Sequence, residues 1–220
     1  MQVAYLLYDR FTALDVTGPH EVLDSLPDVE SVFVAEQAGP VRNESGTLAL
    51  VADRALAEVT HPDIVVVPGG FGTRALLAHE PLLDWLRIAH ETSTWTTSVC
   101  TGALLLAAAG LLEGLPAATH WAARERLASL GARPVAERVV RQDKIVTAAG
   151  VSAGIDMALE LVALMRGEEV AKAVQLGIEY DPQPPFDSGS VEKAPAATVE
   201  AVRAAFDAAE REVLASVQGA

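Results

Sequence analysis

Short runs of unbroken apolar residues alternate along this chain with longer stretches of helical period. The runs 3–8 (VAYLLY), 31–36 (SVFVAE), 63–70 (DIVVVPGG) and 94–99 (TWTTSV) predict strands, several buried on both faces. Pro68-Gly69-Gly70 stops the third. Residues 15–26 predict a loop entering a helix with Pro19 in its first turn. Further helices are predicted over 73–91 with a break at Pro81, over 101–112 ending near Gly110, and over 121–131 closed by Gly131. A long helical stretch over 152–180 breaks near Gly167, and 194–217 predicts an amphipathic final helix. Residues 42–53 and 136–150 predict hairpins, the second turning at Gln142-Asp143, and 181–190 is a proline-rich loop.

Strands alternating with helices predict an α/β fold with a parallel sheet covered on both faces. The 220 residues suffice for one well-buried domain and are too few for two large ones. With no repeat and no linker, residues 1–220 are read as a single domain carrying a C-terminal helix from about 194. In such sheets ligands gather at the carboxyl ends of the strands. Asp15, Gly69-Gly70 and Cys100 all fall at or near such ends, so three loops are expected to converge.

Composition narrows the function. A net charge of -14 argues against nucleic acid as a partner, because phosphates are repelled. One cysteine makes no internal disulfide. The first residues lack a signal-peptide pattern and no apolar stretch is long enough to span a bilayer. The expectation is a cytoplasmic protein with no membrane partner.

The single thiol is the candidate for chemistry. Cys100 stands where strand 94–99 meets the helix beginning at Thr101-Gly102. A buried cysteine usually acts as a small hydrophobe. At a strand-to-helix turn it is instead displayed above the sheet, at a helix N-terminus that favours an anion. The helix end contributes ~0.3–1 kcal/mol, up to ~2 when partly buried, which lowers a thiol from ~8.5 to only about 7. A second group is therefore needed. Asp15 is preferred over His120: facing Cys100, it would share one proton with the thiol and provide a nucleophile and a proton donor together. Thr101 adds a hydroxyl, and its N–H with that of Gly70 is expected to line an anion-holding pocket. The five histidines are scattered, and GGFG (69–72) lacks the dinucleotide-binding spacing, so no metal or organic cofactor is expected.

The strand-Cys-helix junction, VVVPGG and YDRFTALDVTGPHEVL together resemble the DJ-1/PfpI superfamily across nearly the whole chain. Within it, LDVTGP (14–19), SVCTGALLLAAAGLL (98–112), ATHW (118–121), AAGVSAGIDMALEL (148–161) and IEYDPQPPFDSGS (178–190) are most similar to the isonitrile-hydrating branch. The first four also occur, with variations, in ligand-sensing domains of transcription regulators. The proline-rich fifth discriminates better. The resemblance implies a flavodoxin-like three-layer sandwich, a homodimer, and hydration of an isocyanide to an N-substituted formamide. It implies Cys100 as nucleophile, Asp15 as acid/base and Thr101 as their polar neighbour. Threonine at 101 departs from the protease-like members, which have histidine there, and Asp15 departs from the glutamate of DJ-1-like members.

The residues fit that reaction. The terminal isocyanide carbon accepts a nucleophile and then needs a proton on the same carbon. Gly70, Gly150, Ile155, His120 and Trp121 are the expected lining of a small apolar pocket. Gly150 and Gly154 permit close backbone approach, with tight helix packing the plainer reading of both. Two other functions stay open: glyoxalase-like or redox-sensing chemistry, and a non-enzymatic ligand sensor.

Overall fold

The computed structural model describes residues 1–218. Its central sheet has seven strands: β1 (Gln2–Leu6), β2 (Glu30–Ala35), β5 (Arg54–Ala55), β6 (Ile64–Val67), β7 (Trp95–Val99), β10 (Val139–Gln142) and β11 (Ile145–Ala148). They lie in the order β10-β11-β7-β6-β1-β2-β5. All pair in parallel except β10, which runs antiparallel to β11 at one edge. A separate arm, β3 (Gly39–Arg42) with β4 (Ala49–Ala52), is antiparallel, and β8 (Pro116–Ala117) with β9 (Arg133–Pro134) is a short parallel pair.

The central strands are short, β-branched and aliphatic, as two-sided burial requires. Every residue of β6, β7 and β11 is buried. Helices α1 (Ala13–Leu23), α6 (Ala153–Arg166) and α7 (Glu168–Gly177) pack together, as do α3 (Glu80–Thr92), α4 (Gly102–Ala108) and α5 (Arg124–Ser129), giving helices on both sides of the sheet. A short α2 (Thr73–Leu76) meets the final helix α8 (Ala196–Gln218). Among the described residues no helix is long and apolar enough to cross a membrane.

Several boundaries differ from expectation for local reasons. Helix α1 begins at Ala13, so Asp15, not Pro19, occupies its first turn. Pro19 is inside the helix, where it leaves the Asp15 carbonyl without an intrahelical N–H. Pro81 does not break a long helix; it lies in the first turn of α3, where its missing N–H costs nothing. Gly167, at φ +90, separates α6 from α7 as expected. Gly154 packs tightly: a Cβ there would lie 3.1 Å from both Pro19 Cγ and Val99 Cγ2, so α6 closes on α1 and on the end of β7.

The topology decides where chemistry is possible. β1, β6 and β7 are neighbours in the sheet. The segments leaving their carboxyl ends carry Asp15, Gly69-Gly70 and Cys100, so residues 54 and 31 positions apart are delivered side by side.

Candidate active site

Cys100 follows β7 directly, one residue before the N-cap of α4, with φ +57, a left-handed conformation that a non-glycine residue adopts at a cost of ~1–3 kcal/mol. The surroundings hold it there. Its N–H donates to the carbonyls of Ala148 (3.1 Å) and Ala149 (2.9 Å), and its own carbonyl accepts from Thr119 Oγ1 at 2.8 Å. Gly102 follows because any Cβ there would collide with the Val67 carbonyl. The result is a sharp turn with the thiol only 6% exposed.

Asp15 is fully buried. Its Oδ2 accepts from Gly69 N at 2.8 Å, its carboxyl lies beside the Cys100 side chain, and its Oδ1 is buried with no hydrogen-bond partner. Gly69 makes this closeness possible: a Cβ at that position would lie 2.5 Å from Thr101 N and 2.8 Å from both Asp15 Oδ2 and Cys100 Cβ. Burial pushes the Asp15 carboxyl up to about 7; the Gly69 N–H opposes this, the Glu44 charge adds to it, and the Cys100 hydrogen bond opposes it. The thiol moves upward too, first through burial and then through the Asp15 charge, while the N–H groups of Val151 and Thr101 pull it back. The lowering expected from the helix end is therefore outweighed. That expectation considered only the first helical turn, whereas the desolvation comes from the whole surroundings. Two acids in one dry pocket titrate as a pair: the first proton leaves near 7 and the second is held far more tightly.

Thr101 is the N-cap residue of α4, but its side chain makes no cap. Its Oγ1 accepts from Gly70 N at 2.9 Å and donates to Gly70 O at 3.2 Å. The Gly70 N–H is thus occupied and does not line an open anion pocket, contrary to the sequence-based expectation. The N–H that joins Thr101's at the sulfur is that of Val151. Val151 holds φ +34, an outlier for a β-branched residue. Gly70, at φ +138, lies against Arg10, Phe11 and Thr12, where no side chain fits.

A cavity of about 270 Å³ opens over Cys100, and Asp15 is buried behind it, outside the lining. Cys100, Thr101, Gly70 and Val151 form its floor, and His120 and Ala122 one side. Thr12, Glu44, Phe71, Arg74 and Phe206 complete it. His120 is held down to about 4 by burial and by the positive charges of Arg74 and Arg124, so it is neutral near pH 7. Its Nδ1 accepts from Ala122 N at 3.3 Å, which leaves the proton on Nε2. Gly150 is one step removed from the cavity: a Cβ there would lie 2.6 Å from His120 Cδ2, so this glycine sets where the imidazole rests. Trp121 packs on His120 with ring centroids 5.5 Å apart and faces a different, smaller hollow beside residues 188–191. Ile155 is turned toward Gly18 in α1 and is not part of the cavity lining.

Sequence reasoning missed Glu44, Phe71, Arg74, Val151 and Phe206. Phe71 was the most legible, since it directly follows Gly69-Gly70. Glu44 arrives from the β3–β4 arm, where its Oε1 accepts from Phe71 N at 3.0 Å. Arg74 is anchored by Nη1 to Gly70 O (3.2 Å) and Thr73 Oγ1 (3.0 Å). Phe206 comes from α8, more than 100 positions after Cys100.

Comparison with known proteins identifies relatives of the whole fold. The profile of the DJ-1/PfpI family matches residues 1–164. A Pseudomonas putida protein named isonitrile hydratase is 44% identical over 203 residues, covering 92% of this chain and 89% of that protein. The crystal structure of a ThiJ/PfpI family protein from Pseudomonas syringae superposes with a TM-score of 0.91 at 37% identity, covering 98% of this chain and 90% of that one. The transcriptional regulator CdhR of Pseudomonas aeruginosa is 32% identical over 64% of this chain, which spans 42% of that regulator.

Proposed function

This chain belongs to the DJ-1/PfpI family, and from that premise we propose that it is an isonitrile hydratase, adding water to an isocyanide to give an N-substituted formamide. The observation that carries the reading is Asp15 Oδ1: a buried carboxyl oxygen with no partner, on a group that sits against the Cys100 side chain. An unpaired buried acceptor is costly unless a substrate or water fills it. Similarity to the Pseudomonas putida hydratase over nine-tenths of the chain supports the same chemistry.

The active form is the pair carrying one proton. Asp15 takes the thiol proton as Cys100 Sγ bonds to the terminal isocyanide carbon and delivers that proton to the same carbon, giving a neutral thioimidate and an ionised carboxylate. Water then bonds to the same carbon as Asp15 takes one of its protons and passes it to the nitrogen. The C–S bond breaks, the remaining hydroxyl proton returns to the pair, and the formamide leaves. One water is consumed, and the pair ends with the proton it began with. The N–H groups of Val151 and Thr101 stabilise the sulfur as it leaves. Thr101 positions Gly70 and the first turn of α4. The reading includes the homodimer implied by the resemblance, two copies of a 23.1 kDa chain.

The test follows formamide production from n-propyl isocyanide by wild type, Cys100→Ser, Asp15→Asn and Thr101→Val, with methylglyoxal in a parallel arm. Wild type should form the formamide, and the first two variants should lose at least ~100-fold, the usual contribution of a nucleophile or its acid/base. Lactate from methylglyoxal with the isocyanide untouched would overturn hydration in favour of glyoxalase chemistry. A bound metabolite with neither activity would favour a sensor.

A further inference from the structure

The family profile ends at residue 164, yet the outer wall of the cavity over Cys100 is built from residue 206. Helix α8 is seated by one face. Arg203, Phe206 and Glu210 stand at i, i+3 and i+7, a spacing that puts all three on the same side. The Arg203 guanidinium lies 5.1 Å from the centre of the Trp121 ring. Glu210 Oε1 is 2.7 Å from Arg126 Nη2 and 3.7 Å from Arg74 Nε. Arg74 in turn bonds to the Gly70 carbonyl at the site floor. Between these anchors the Phe206 ring meets Phe71 edge-on at 5.7 Å and His120 edge-on at 5.1 Å. Both neighbours line the same cavity. The ring is therefore clamped on two sides and faces the thiol's cavity. It is a fixed wall and not a loose surface side chain.

Resting on the hydratase reading, we propose that Phe206 is the specificity-determining residue of this enzyme: its clamped ring limits the organic substituent of the isocyanide to compact groups. At about 270 Å³ the cavity falls just below the usual range of small-molecule sites, ~300–1,000 Å³. The isocyano carbon must reach Cys100, so the substituent occupies the rest of the cavity, whose lining includes Phe206. A substituent larger than the gap between floor and ring fails to seat, whereas a small one leaves the ring undisturbed. The wall governs which substrate enters and takes no part in the proton transfers.

The experiment compares wild type with Phe206→Ala, Phe206→Leu and Phe206→Trp using two probe pairs that differ only in bulk. The first pair is n-propyl and 1-adamantyl isocyanide, read as the bulky-to-small ratio of kcat/KM. The second is N-methylmaleimide and N-(1-adamantyl)maleimide, read by mass spectrometry as the ratio of labelling rates at Cys100, the chain's one cysteine. Phe206→Ala should raise both ratios at least about tenfold, Phe206→Leu should raise them less, and Phe206→Trp should lower them. Ratios within about twofold of wild type in all three variants would overturn the proposal. If wild type hydrates no isocyanide while the maleimide ratio still follows the size of residue 206, the wall stands and the hydratase reading falls.

Discussion

Replacing Asp15 with asparagine tests the buried acid pair without requiring any substrate. Asparagine keeps the shape and can still accept from Gly69 N, but it carries no charge at any pH. In the folded protein the Asp15 carboxyl titrates at about 7, against an ordinary value of 3.8. The folded state thus holds a proton that the unfolded chain releases, and stability due to this group is full below 3.8 and lost as pH rises to about 7. Each pH unit in that window corresponds to ~1.36 kcal/mol. From pH 5 to the folded-state value of about 7 is roughly two units, so wild type should lose about 3 kcal/mol that Asp15→Asn keeps. Above about 7 the difference should level off. The thiol does not blur this window, because its ordinary value is 9.0 and burial moves it higher. Urea unfolding of both proteins at pH 5, 6, 7 and 8, followed by tryptophan fluorescence, gives the difference directly. The groups that feel the Asp15 charge, Cys100 and Tyr8, titrate above this window, and the remaining groups are common to both proteins and cancel. A stability difference constant to within ~0.5 kcal/mol from pH 5 to 8 would refute the claim that Asp15 is desolvated and uncompensated in the fold.

The pH dependence of kcat/KM on n-propyl isocyanide should rise through about 7 as the pair loses its first proton and then hold level until the thiol's own, higher titration. A rate that falls through 7 would assign the chemistry to the doubly protonated pair. Gly69→Ala forces a Cβ to within 2.5–2.8 Å of Thr101 N, Asp15 Oδ2 and Cys100 Cβ, so it should cut turnover ~100-fold, with circular dichroism unchanged. Activity within twofold of wild type would mean the pair does not depend on that spacing.

How much of this was legible in the sequence depends on how far each feature's cause extends along the chain. Cys100 was legible because its cause is local: a β-branched strand meets an Ala/Leu helix at one thiol. Asp15 was legible only in combination, since its partner is 85 positions away and the two meet because β1, β6 and β7 are sheet neighbours. The thiol's titration was misjudged because a helix end is local, while desolvation depends on every residue that covers the sulfur. Gly70's N–H was expected to be free; a side chain from another loop, Thr101, occupies it. Phe206 was illegible in principle. On an amphipathic helix one apolar position looks like any other, and only the docking of α8 decides whether a ring faces packed core or an open cavity. The two halves of the site therefore have separate addresses. The reacting groups lie within residues 1–164, where strand order forces them together, and the wall lies beyond, held by the ion pairs of Glu210 with Arg126 and Arg74 and by three aromatic contacts of Phe206. Changes at the second address can alter which substrate is admitted while leaving the Asp15–Cys100 pair in place, because among the described residues no hydrogen bond of that pair involves α8.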